Sequence, residues 1–127
     1  VALNFTQMGP ATWVTRIDGI PFYLSDESGA VDRAQADLAA KVAASLPAVR
    51  DAASAYLDLF VDREKACARA DEPWWLDEIE FRDPAGKGRA AYALHFTLDG
   101  DDGGLWTVGM RAFEDQHRPF QFERRQG

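Results

Sequence analysis

Strict alternation of apolar and polar residues in the last third of the chain restricts the fold more than any other feature. From Arg89 to Leu98, Tyr92, Leu94, Phe96 and Leu98 fall on one side and Ala93, His95 and Thr97 on the other. That period of two belongs to a half-buried strand. Asp99-Gly100-Asp101-Asp102-Gly103-Gly104 breaks the pattern as a turn. Leu105 to Phe113 then resumes it, with Trp106, Val108, Met110 and Ala112 on one face. Glu114 to Pro119 reads as a loop and Phe120 to Glu123 as a last strand. Upstream, Pro73 precedes another alternating run from Trp74 to Asp83. Trp75, Ile79 and Phe81 point one way there, with Asp77 the odd member, and Leu76, Glu78, Glu80 and Arg82 point the other. Connections this short favour antiparallel neighbours.

The first part of the chain adds a hairpin. Trp13, Thr15 and Ile17 share a face, Asp18-Gly19 is a strong two-residue turn signal, and Ile20 to Leu24 reads as the return strand. Pro21 has no N–H to donate, so this strand is expected at an edge or to begin there. Leu3 and Phe5 are candidates for a short strand before it. From Ala30 the pattern turns helical, with Val31, Ala34, Leu38 and Val42 on one stripe as far as Ser45. Pro47 suits a first helical turn, so a second helix is expected to meet the first near Leu46. Its stripe is Val49, Ala52, Ala53, Tyr56, Leu57 and Phe60, with Glu64 closing it. The expected fold class is therefore α+β: an N-terminal β-hairpin, a helical pair, then a four-stranded, mainly antiparallel meander. The helices would lie on one face of the sheet, leaving the other open to solvent or to a partner.

The 127 residues fit one domain, residues 1–127, able to build its core without disulfides or structural metal. The net charge of −7 opposes phosphate backbones and anionic membranes, and favours a basic partner or simple solubility. No apolar run is long enough for a membrane-spanning helix. Val1 to Phe5 lacks the basic region and long apolar core of a signal peptide. Cys67 stands alone and cannot form an internal disulfide, so a cytoplasmic location is the simplest expectation.

No recognisable catalytic constellation is present. The Asp99–Gly104 run has some calcium-loop spacing, but Gly103 and Met110 fall where ligands belong and the flanks read as strands. His95 and His117 lack the spacing of a zinc pair, Cys67 has no nucleophile motif around it, and no phosphate-binding glycine loop occurs. Catalytic, cofactor and metal residues are all expected to be none. The acidic segment is more suggestive: Asp71, Glu72, Asp77, Glu78, Glu80 and Asp83 stand against Arg82 alone. A glycosidase would need two carboxylates flanking a deep cleft, for which the chain is short. A solvated sheet face or a docking surface fits better. The candidate partner-binding set is Trp74, Asp77, Glu78, Glu80 and Asp83, with Asp99, Asp101 and Asp102 as a second edge. The basic tip Arg124-Arg125 could meet the protein's own acidic face or a neighbour.

The Trp13 hairpin, the alanine-rich helical middle, the Trp74-Trp75-Leu76 strand and the closing Leu105-Trp106-Thr107-Val108-Gly109 segment resemble small bacterial domains of unknown function. Several of these are associated with immunity proteins of polymorphic toxin systems, including contact-dependent growth inhibition. The resemblance covers most of the chain and rests on pattern and order. It implies a small, non-enzymatic cytoplasmic inhibitor that occludes a basic toxin domain. Two other expectations stand beside it. One is a small-ligand binder or enzyme with a pocket near Tyr56, Trp75, Trp106 and His95, between helices and sheet. The other is a homodimer paired through an exposed strand edge.

Overall fold

Asp18 and Gly19 both have positive φ, 52° and 80°. That is the requirement of a two-residue hairpin turn whose twist matches its strands. In the computed structural model the turn joins β2 (Thr12–Ile17) to β3 (Ile20–Ser25), with Ile17 opposite Ile20. The structure describes residues 3–25, 33–61, 74–81, 91–101, 103–113 and 116–126. The remaining elements are β1 (Thr6–Gly9), α1 (Arg33–Ala44), α2 (Leu46–Asp58), β4 (Trp74–Phe81), β5 (Tyr92–Leu98), β6 (Gly104–Phe113) and β7 (Gln116–Gln126).

The protein is α+β: three strands, two helices, then four strands, all strands in one mixed sheet of order β1-β2-β3-β4-β5-β6-β7. Every pairing is antiparallel except β3 with β4. That exception follows from the connection, because β4 is reached through both helices and a crossover allows parallel pairing where a short turn does not. The N-terminal unit is thus a three-stranded meander and not a bare hairpin. Leu3 and Phe5 precede β1, partly buried against the core. Pro21 lies near the start of β3, which is internal and not an edge. Pro21 precedes the first β3–β4 register pair, Phe22 opposite Ile79, so the missing N–H is placed where the parallel ladder begins.

The core is one cluster. Ala39, Val42, Leu46, Val49, Ala53 and Leu57 from the helices meet Phe22, Leu24, Ile79, Phe81, Tyr92, Leu94, Phe96, Leu98, Val108 and Met110 from the sheet. Pro47 sits in the first turn of α2, where its lost N–H has no helical partner to miss. The inward stripe of α1 is rotated from the expected one. Gln35, Ala39 and Val42 are buried, Ala34 is exposed, and Val31 lies outside the described residues. Alanines on every side of α1 leave its periodicity weak, so the sheet decides which way it turns.

Two further departures matter for the outer face. β7 starts at Gln116, so most of the expected Glu114–Pro119 loop is strand. Pro119 sits opposite Met110 beside an irregularity in register, a tolerated position on an edge strand. In β4 the register shifts between Leu76 and Glu78, so Asp77 is an extra residue without a β5 partner. The bulge reverses the phase of alternation. Trp74 and Leu76 before it, and Ile79 and Phe81 after it, all lie opposite core residues of β5.

Candidate functional site

The bulge at Asp77 decides which tryptophan reaches solvent. Trp74 is 5% exposed and packs edge-on to Phe96 and Trp106. Its indole N–H donates to the Asp58 carboxylate at 2.9 Å, tying β4 to the end of α2. Trp74 is therefore a core residue and not the docking residue expected from sequence. Its neighbour Trp75, expected to share a face with Ile79 and Phe81, is instead 61% exposed. Asp77 is exposed and accepts a hydrogen bond from the Thr97 hydroxyl. Thr97 is the register partner of Trp75, so the bulge and this bond together fix the strand where Trp75 turns outward.

On the face away from the helices, side chains follow the strand register in rows. One row runs Val14, Tyr23, Glu80, Ala93, Gly109 and Gln121 from β2 to β7. The next runs Glu78, His95, Thr107 and Glu123. Trp75 lies opposite Thr97, and Leu105, 49% exposed, lies opposite Arg125 in the row beyond. Where the first row crosses β5 and β6 the residues are small, Ala93 and Gly109. The result is a hollow of about 350 Å³ lined by Ala93, Thr107, Gly109, Gln121, Glu123 and Arg125. Glu78 and Glu80, two expected site residues, stand on β4 at its flank. Glu123 stands on β7, 3.4 Å from Arg125. Arg111 and Arg118 form a register pair beyond the hollow, and Arg111 stacks on the Phe120 ring at 4.1 Å. The charges on the outer face are thus mixed: Glu123 and Arg125 pair beside the hollow, Glu78 and Glu80 stand on β4 at its flank, and Arg111 and Arg118 lie past it.

His95 sits mid-strand on this face, as the alternation predicts. Its Nδ1 is 2.9 Å from the Thr107 hydroxyl. Its Nε2 is buried without a hydrogen-bond partner, 3.9 Å from Glu80 Oε2. A hydroxyl, an imidazole and a carboxylate in line are the residue types of a nucleophile, base and orienter. A working triad also needs donors for a developing oxyanion. β5 and β6 are both internal strands, and their amides are committed to ladders on either side. The cross-strand pair reads more simply as a polar tie between β5 and β6.

The second expected edge is partly consumed inside the fold. The Asp101 carboxylate accepts the Trp106 indole N–H at 2.7 Å, and Arg124 Nε and Nη2 at 2.9 and 2.7 Å. The Arg124 hydrogen bond holds its carboxyl below the usual carboxylate range. Desolvation opposes the shift, and Trp106 together with the Arg124 charge adds to it. Asp101 is therefore a clamp between the β5–β6 turn and β7 and not a free partner contact. It also engages Arg124 of the basic tip. Asp99 is part-exposed in the same turn. Asp83, Asp102 and Cys67 lie outside the described residues.

Tyr56, Trp75, Trp106 and His95 do not line one pocket. Tyr56 and Trp106 pack against the core on the helix side, while Trp75 and His95 belong to the opposite face. His117, expected in a loop, lies in β7. It shares a 2.7 Å hydrogen bond with the phenol of Tyr92, whose pKa burial raises above the ordinary tyrosine value. Among the described residues no group of three or more His, Cys, Asp or Glu side chains is placed to hold a metal. None of the described helices is long and apolar enough to cross a membrane.

Sequence reasoning missed Trp75, Leu105, Thr107, Gln121 and Glu123 as members of one surface. The alternation of Phe120 and Phe122 with Gln121 and Glu123 carried part of that signal. Comparison with protein-family models, curated proteins and solved structures finds no match to this chain.

Proposed function

We propose that the protein is a non-enzymatic binding module that docks a basic protein domain on the sheet face away from the described helices, acting as an immunity-type inhibitor that occludes a toxin in the cytoplasm. One observation carries this reading: Trp75, 61% exposed, shares that face with Glu78, Glu80 and Glu123. An exposed tryptophan beside carboxylates combines an anchor that slows release with charge that speeds encounter. The net charge of −7 points the same way, toward a basic protein and away from nucleic acid or an anionic membrane. Homodimerisation through a strand edge is disfavoured by the edges themselves. β1 has four residues and an irregular register, and β7 carries Pro119 and three arginines. Such features discourage edge-to-edge pairing.

The test is capture of the partner by the immobilised protein from lysate of the source organism, followed by kinetics on the purified pair. The wild type should retain a basic protein and protect cells expressing it. E78K/E80K should slow association about ten-fold at low salt, with a smaller effect at high salt. Equal association by wild type and E78K/E80K at low salt would remove this face from the interaction.

A further inference from the structure

We draw no further inference here: the strongest candidate, the hollow on the outer sheet face beside the exposed Trp75 and Leu105, already pairs its own charges through Glu123 and Arg125, and nothing in the structure shows what covers it.

Discussion

Adjacent tryptophans on β4 give the most direct measurement of the bulge. Trp74 is buried against Phe96 and Trp106, and its N–H bonds the Asp58 carboxylate at 2.9 Å. Truncating a buried tryptophan to alanine costs about 3–5 kcal/mol. W74F keeps an aromatic ring, so it loses only part of that packing, together with a hydrogen bond to a charged group worth about 1.5–3 kcal/mol. The expected loss is about 2–3 kcal/mol, or a fall in Tm of about 5–10 °C for a domain of this size. W75A removes a side chain that is 61% exposed, so its cost should stay within about 0.5 kcal/mol. Urea unfolding followed by far-ultraviolet circular dichroism measures both, and a cycle of W74F with D58N should show coupling of about 1 kcal/mol. The sequence alternation without a bulge predicts the reverse ranking, with Trp75 the costly residue. If W75A destabilises as much as W74F, the phase reversal at Asp77 is wrong, and so is the surface built on it.

Three further outcomes follow from the interior contacts. Arg124 lowers the Asp101 pKa, so this carboxylate stabilises the fold above its ordinary value of about 3.9 and the effect is lost as pH falls through the lowered one. D101N should therefore be less stable than wild type at pH 7 in denaturant titrations, with the gap closing below about pH 4. G104A should disrupt the same clamp, because a methyl group there runs into the Asp101 carboxylate and comes within 2.9 Å of Arg124 Nη2. A cost of about 1–3 kcal/mol, with altered tryptophan fluorescence from Trp106, would mark it. Burial raises the Tyr92 pKa, so folding favours the neutral phenol. That stabilisation is complete below about pH 10 and is lost as pH rises past it. Y92F should lose about 0.5–1.5 kcal/mol at pH 8 with its hydrogen bond to His117, and should flatten the alkaline side of the stability profile.

Legibility of the sequence divides according to how local each determinant is. The Asp18-Gly19 turn and the alternation of β5 and β6 depend on neighbours along the chain, and both could be read directly. The parallel pairing of β3 with β4 depends on where a two-helix crossover lands, which no local pattern encodes. The β4 bulge lies between these cases. Asp77 was visible as an odd member among Trp75, Ile79 and Phe81, a polar residue on what read as an apolar side. An added unpaired residue explains it better than a polar residue in the core, because it moves Trp75 out and Trp74 in. Asp101 was legible as acidic but not as occupied, since Arg124 is 23 residues away and reaches it only once β6 and β7 have paired.

The open face gains its significance from what else the fold leaves exposed. Single exposed apolar residues are ordinary on protein surfaces and need no partner. Leu59 and Phe60 are such a case, since Phe60 packs edge-on to Tyr56 and tilted against Phe122 and so completes the packing at the end of α2. Trp75 differs because the sequence around it spends a bulge and the Asp77–Thr97 bond on facing it outward, when the phase of Ile79 and Phe81 alone would have turned it in. The charges on the same face are mixed and do not set it apart in this way. Glu123 pairs with Arg125 at 3.4 Å beside the hollow, Glu80 lies 3.9 Å from His95 Nε2, and Arg111 and Arg118 form a register pair farther along. Mixed signs serve solubility, so what marks this face for a partner is the outward tryptophan.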